Sequence, residues 1–103
     1  MRTENFNEIL RKSIKETLNE LFGESSAKAL YYHIRKTSNT TLDEPEKFFE
    51  ALRKLLGSGA HVVEILTLRK FYSELNLEFR EKRGYTFSEY VEEARRLIRR
   101  TYR

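Results

Sequence analysis

Histidine and cysteine, the side chains that most often bind transition metals or serve as catalytic bases and nucleophiles, are scarce in this chain. Its 103 residues include two histidines, His33 and His61, and no cysteine. Two histidines four residues apart on one helix can face one metal ion, but these two are 28 residues apart and fall on different predicted helices. We therefore expect no metal site. The lack of cysteine also excludes disulfide bonds and thiolate chemistry.

Serine, glycine and carboxylate residues have local structural explanations. Most serines lie at predicted caps and turns, where a hydroxyl group can bond to the backbone: Ser25, Ser26, Ser58 and Ser88. The segment Gly57–Gly59 lacks both the Walker pattern and the preceding strand of a phosphate-binding loop. Asp43 and Glu44 precede a predicted helix, whose dipole favours negative charge there. We therefore expect no catalytic residue, no cofactor and no small-molecule substrate, so the chain is predicted not to be an enzyme.

Five arginines near the C-terminus are the clearest candidates for binding. They recur at steps of four on one broad arc of a helix predicted over about residues 86–103: Arg95, Arg96, Arg99, Arg100 and Arg103. The formal net charge of the chain is +4, and the whole surplus lies in residues 79–103. Because guanidinium groups match phosphate geometry, this face can bind DNA or RNA. The alternative is a solvated face whose cations complement the negative end of the helix dipole.

Aromatic residues make up 13% of the chain, as six tyrosines and seven phenylalanines. Tyr31 and Tyr32 are adjacent, and neighbouring side chains on a helix point about 100° apart. One of the two can therefore pack inward while the other stays near the surface. An exposed Tyr32 could stack on a nucleic-acid base or anchor a protein partner. The alternative is that both rings fill a core that has no tryptophan.

Apolar residues recur at three- and four-residue steps in five segments, which is typical of amphipathic helices. The first predicted helix covers about residues 4–22, and the second begins at Ser25 or Ser26 and fades in 37–41. The third runs from Pro45 to Gly57, the fourth over about 60–75 and the last over about 86–103. The spacing of Thr86 and Glu89 predicts a capping box. No segment alternates like a half-buried strand. We therefore predict one all-α domain over residues 1–103, a compact bundle of about five helices with short connections.

The fourth predicted helix differs from the others because it carries apolar residues on two sides. One side holds Val62, Val63 and Leu66. The nearly opposite side holds Ile65, Leu68, Tyr72 and Leu75. Such a helix needs two sets of neighbours, so it is either the central helix of the bundle or part of an interface between chains. We favour the central position, and we name Tyr32, Leu68 and Tyr72 as candidate residues of a protein interface.

One stretch of the chain resembles a known family. The residues concerned lie between Leu18 and about Leu75: Phe22–Gly23, Ala29–Ile34, Pro45, Phe48–Phe49, Leu56–Gly57, Gly59–Ala60 and Ile65. The pattern over residues 18–75 resembles the Nitrosopumilus output domain, a small all-helical archaeal domain. The resemblance implies an all-α output or interaction module in an archaeal cytoplasm, and it implies no catalytic residue. The arginine-rich end lies outside the matched stretch.

Composition narrows the functional classes further. The chain is 39% hydrophobic and 35% charged, which indicates a folded domain with a strongly ionic surface. It has neither an apolar run near the roughly 18 residues of a membrane span nor a signal-peptide core, so we expect a cytoplasmic protein without membrane contact. The leading hypothesis is a non-catalytic interaction or regulatory module that contacts another protein or forms a homodimer. The alternative is a nucleic-acid-binding protein that uses the arginine face.

Overall fold

Five α-helices make up most of the chain in the computed structural model, which describes the backbone of residues 3–101 and the side chains of residues 5–100. They are α1 (Thr3–Phe22), α2 (Glu24–Ser38), α3 (Pro45–Leu56), α4 (Gly59–Glu74) and α5 (Phe87–Thr101). No strand occurs within residues 3–101. The prediction of an all-α bundle of about five helices is therefore confirmed. The last two residues of the predicted C-terminal helix lie outside the described part of the chain.

Local sequence signals explain where several helices begin and end. Gly23 alone separates α1 from α2, and its φ of 85° is a conformation that glycine adopts without steric cost. α3 begins at Pro45, whose missing N–H is not needed in the first turn. Before α5, the N–H of Thr86 donates to Glu89 Oε1 and the N–H of Glu89 donates to Thr86 Oγ1, both at 3.2 Å. This reciprocal pair confirms the predicted capping box.

α4 is the central helix, because it packs against α1, α3 and α5. This position confirms the alternative that we favoured. The two apolar faces predicted for it are not both covered, however. Its buried side chains cover one continuous arc of about half the circumference, at roughly 100° per residue. Val62 and Leu66 lie outside that arc and are 54% and 38% exposed.

Leu68 and Tyr72 lie inside the core, each with 1% of its surface exposed. The Tyr72 hydroxyl donates a 2.6 Å hydrogen bond to the carbonyl oxygen of Tyr90 on α5. A partner could reach these two side chains only if α4 left the bundle. The prediction that Leu68 and Tyr72 form a protein interface is therefore wrong, because periodicity shows that a residue is apolar or aromatic but not what covers it.

One continuous apolar core joins all five helices. Phe71 of α4 meets Phe6 of α1 edge to face, with ring centroids 5.2 Å apart. The connector between α4 and α5 packs onto the same core, since the ring of Phe79 lies 5.1 Å from that of Tyr72 and 5.2 Å from that of Tyr90. Within residues 3–101, no helix combines the length and the apolar character needed to span a bilayer.

Candidate anion-binding groove

The two N-terminal helices form the walls of a groove, which we call the α1–α2 groove. They are joined only by Gly23 and pack against each other. The groove has a volume of about 390 Å³, within the range of about 300–1,000 Å³ typical of ligand sites. Leu42 and Phe48 give it an apolar part. Its polar lining combines four cationic side chains with two tyrosines: Arg11, Lys15, Lys28, Arg35, Tyr31 and Tyr32.

Helical spacing explains why the four cations share this groove. Arg11 and Lys15 are four residues apart on α1, so they lie on one face of that helix. Lys28 and Arg35 are seven residues apart on α2, which is about two helical turns. Sequence reasoning missed these residues because each helix, taken alone, shows only an ordinary charged surface. The available signal was the recurrence of cations at helical spacing on two consecutive helices.

Two of the groove cations have carboxylate partners and two do not. Arg11 Nη2 lies 2.9 Å from Asp43 Oδ1, and Lys28 Nζ lies 3.4 Å from Glu24 Oε1. Lys15 and Arg35 form no ion pair with any residue that the structure describes. No acidic side chain of the described residues lines the groove itself. The groove therefore concentrates positive charge from two helices, and an anion bound there would offset the mutual repulsion.

Tyr31 supplies a neutral hydroxyl group beside these cations. Its ring packs against that of Phe48 on α3, with centroids 6.2 Å apart. Its Oη is buried, and the described protein offers it no hydrogen-bond partner. The Tyr31 phenol is protonated at neutral pH, and burial raises its pKa further above its ordinary value of 10.0. A protonated phenol can donate a hydrogen bond, whereas a phenolate could only accept one.

Tyr32 is the exposed member of the pair, with 67% of its surface accessible. It lines the groove beside Arg35, and Lys36 Nζ lies 5.8 Å from its ring centroid. The prediction that one tyrosine packs inward while its neighbour stays near the surface is thus confirmed. An exposed ring surrounded by cations can take part in stacking without any rearrangement of the core.

The arginine face of α5 is a separate surface. The Arg95 guanidinium lies 4.4 Å from the centroid of the Phe6 ring, and its Nε lies 3.5 Å from Glu92 Oε1. Arg95 is thus engaged in packing between α1 and α5, which corrects the prediction that it belongs to a free binding face. Three further arginines of that set are exposed: Arg96, Arg99 and Arg100. Arg103 lies outside the described residues. No described residue of α5 lines the α1–α2 groove.

The groove is not lined by His33, His61 or the buried Glu64. His33 and His61 are exposed on α2 and α4. Among the described residues, no three His, Cys, Asp or Glu side chains come together closely enough to hold a metal ion. Glu64 on α4 accepts a 3.1 Å hydrogen bond from Arg53 on α3. Burial raises the pKa of the Glu64 carboxyl, although the charges of Arg53 and His61 act in the opposite direction.

Some of the residues that carry the resemblance to the output domain are core residues. Ile34, Phe48 and Phe49, for example, are each at most 1% exposed. Comparisons with protein-family models, with curated proteins and with solved structures found no match. The resemblance of residues 18–75 to that domain therefore stays a prediction, and the geometry of the groove is what supports a function.

Proposed function

We propose that this chain is a non-catalytic binding module that holds nucleic acid by its phosphates in the α1–α2 groove. The observation that carries the proposal is the pair Lys15 and Arg35, which face one groove from two helices and have no carboxylate partner in the described chain. Phosphate groups supply the missing negative charge, and guanidinium groups match their geometry. Such a partner also suits the cytoplasmic location that we infer from the sequence.

The groove is a better candidate than the arginine face of α5. On α5, Arg95 is already engaged with Phe6 and Glu92. Arg96, Arg99 and Arg100 form no ion pair with the described residues, but all three lie on a single helix. The groove, in contrast, is concave, and its two walls present cations to the same space. A phosphate bound there can be contacted from two sides, which improves both the geometry and the electrostatic attraction.

The proposal predicts a specific loss of affinity in the double variant Lys15→Gln/Arg35→Gln. Because a hydrogen bond to a charged group contributes about 1.5–3 kcal/mol, the loss of even one such contact should weaken binding of a fluorescent oligothymidylate at least about 10-fold. The dependence of log K on log salt concentration should also become less steep, by about 0.7 for each lost phosphate contact. Fluorescence anisotropy at several salt concentrations measures both effects.

Two matched double variants separate the groove from overall charge. Lys47→Gln/Lys54→Gln removes two exposed cations from α3, and Arg99→Gln/Arg100→Gln removes two from α5. All three variants lower the net charge by two and alter exposed helical positions, so their stability should change by less than about 0.5 kcal/mol. An equal loss in the α3 variant would contradict a groove site. A larger loss in the α5 variant would move the site to the C-terminal arginines.

A second candidate function is protein–protein contact through an exposed apolar surface. Four large side chains at the end of α1 and on α4, which we call the α1–α4 apolar surface, are each 38–54% exposed: Leu21, Phe22, Val62 and Leu66. Leu21 and Leu66 line the same surface depression. Leu21 and Leu66 thus lie together, and adjoining exposed apolar groups are typical of interaction sites. This surface replaces Leu68 and Tyr72 as the candidate for the self-association that we inferred from the sequence.

The variant Leu66→Glu tests this second function. If the chain forms a homodimer through the α1–α4 apolar surface, a charge at its centre should convert the dimer into a monomer, as measured by static light scattering at micromolar concentrations. Leu55→Glu is the matched control, because Leu55 is 43% exposed but belongs to α3. A wild-type protein that is monomeric throughout this range, or a dimer that Leu66→Glu leaves intact, would contradict self-association through this surface.

A further inference from the structure

We infer that the α1–α2 groove receives a single strand rather than a duplex, and that the ring of Tyr32 stacks on one of its bases. The inference rests on the proposed function and adds the class of nucleic acid and a residue that contacts the base. The two adjacent tyrosines of α2 differ in packing and exposure. Tyr31 packs against Phe48, whereas Tyr32 leaves 67% of its surface in solvent at the edge of the cationic groove.

Stacking on Tyr32 requires a base whose face is accessible. In a duplex both faces of each base are covered by its neighbours, so a protein ring can reach them only after the base is unpaired or flipped out. In a single strand the faces are free, and aromatic side chains beside cationic grooves are the common means of binding it. An exposed tyrosine next to unpaired cations is therefore the arrangement expected for a single strand.

The groove has dimensions suited to a short strand. Lys28 and Arg35 are separated by about 10 Å along α2, and Arg11 and Lys15 by about 6 Å along α1, at 1.5 Å per residue. Cations thus follow both walls, so that phosphates on either side of a stacked base can each meet a positive charge. The volume of about 390 Å³ accommodates a small part of the strand while the rest continues outside.

Neighbouring side chains complete a site for one nucleotide. Lys36 Nζ lies over one face of the Tyr32 ring, 5.8 Å from its centroid, so a base would stack on the opposite face. Tyr31 also lines the groove, and its buried hydroxyl has no partner in the described protein. A duplex reader, in contrast, usually projects a helix into the major groove. Here the cations of α2 line a recess shared with α1 and do not lie on a projecting helix face.

The test compares Tyr32→Ala with Tyr32→Phe. We expect Tyr32→Ala to weaken binding of a labelled oligothymidylate of about 12 nucleotides by about 5- to 150-fold, because stacking of one base is lost. Its salt dependence should stay that of the wild type, since no phosphate contact is removed. Tyr32→Phe keeps the ring and should retain most of the affinity. A duplex of the same length should bind the wild type more weakly and should not respond to Tyr32→Ala.

Tyr85→Ala is the matched control for loss of an exposed tyrosine. Tyr85 is 36% exposed and, like Tyr32, has a lysine ammonium group over its ring, since Lys82 Nζ lies 5.1 Å from the centroid. Its ring also packs against Tyr90, with centroids 5.1 Å apart. It lies in a different depression, however, which is lined by Glu46 and Glu50. We expect this variant to bind the strand as the wild type does. Circular dichroism of each variant checks that the helices are intact.

The outcomes separate the inference from the function on which it rests. No salt-dependent binding to either strand or duplex would overturn both. Equal binding to strand and duplex, with no effect of Tyr32→Ala, would overturn the inference and leave phosphate binding in the groove standing. Binding of free thymidine monophosphate as tight as that of the strand would show a mononucleotide site. A polyglutamate peptide that binds as tightly as the strand would show an acidic protein partner, and either of these results would also overturn the inference.

Discussion

Replacing Phe71 with alanine is expected to lower the free energy of unfolding by about 3–5 kcal/mol. Phe71 has none of its surface exposed and lies on α4, the helix that contacts α1, α3 and α5. Its ring meets Phe6 at 5.2 Å and Tyr72 at 6.2 Å. The truncation removes buried apolar surface and leaves a cavity that these neighbours fill only in part. Because a domain of this size is stable by about 5–15 kcal/mol, the loss is a large fraction of the total.

Urea unfolding followed by circular dichroism measures this effect, and Phe22→Ala is the matched control. Phe22 undergoes the same chemical change at the end of α1, where it is 38% exposed, so we expect a loss of about 1 kcal/mol or less. In thermal unfolding, Phe71→Ala should lower the Tm by more than about 12 °C. Equal losses in the two variants would contradict a central α4 packed against α1.

Replacing Tyr72 should also lower the free energy of unfolding strongly. Two variants separate the contribution of the ring from that of the hydroxyl group. Tyr72→Ala removes a ring that packs against Phe79 and Phe71, and we expect a loss of about 3–5 kcal/mol. Tyr72→Phe keeps the ring but removes the hydroxyl, which donates to the carbonyl oxygen of Tyr90 at 2.6 Å and lies 3.2 Å from Glu93 Oε2. We expect this variant to lose about 1–3 kcal/mol, because the buried hydrogen bond that joins α4 to α5 is lost.

The pH dependence of stability provides a further readout for Tyr72. Burial, together with the negative charge of Glu93, raises the pKa of the Tyr72 phenol above its ordinary value of 10.0. The folded state therefore holds its proton more tightly than the unfolded state does. The corresponding stability is fully present below pH 10 and is lost as the pH rises further. We expect Tyr72→Phe to lose less stability than the wild type above pH 10.

Tyr32→Phe is the control for Tyr72→Phe, because the same hydroxyl is removed from a residue that is 67% exposed. Its free energy of unfolding should change by less than about 0.5 kcal/mol at every pH. If both variants lose the same amount, or if Tyr72→Phe loses nothing, the hydrogen bond that joins α4 to α5 would not stabilise the fold. Urea denaturation at pH 7 and above pH 10 distinguishes these results.

The helices themselves were predictable because the signals that form them are local. Gly23, Pro45 and the pair Thr86 and Glu89 mark helix ends in the sequence, and the structure places helix ends there. Each signal acts within a few residues, through allowed backbone angles or a side-chain cap. The helix boundaries and the all-α class could therefore be predicted without knowing which helices pack against each other.

Predictions that depended on the surroundings of a side chain were less successful. Leu68 and Tyr72 were named for an interface but are core residues, and Arg95 was named for a free face but packs on Phe6. Tyr32 is exposed, and this is one of the two environments, surface or core, that the sequence left open for it. Helical spacing assigns each residue to a side of its own helix. It does not say whether another helix covers that side.

The amino-acid sequence by itself determined that this chain forms amphipathic helices, where they start and stop, and that its surface is strongly ionic. Only the tertiary structure decided that α4 is buried along one broad arc and that the cations of α1 and α2 face a common groove. The physical reason is the range of the interactions. Capping and helical periodicity act over three or four residues, whereas Lys15 and Arg35 meet across the groove only because long-range packing positions their helices side by side.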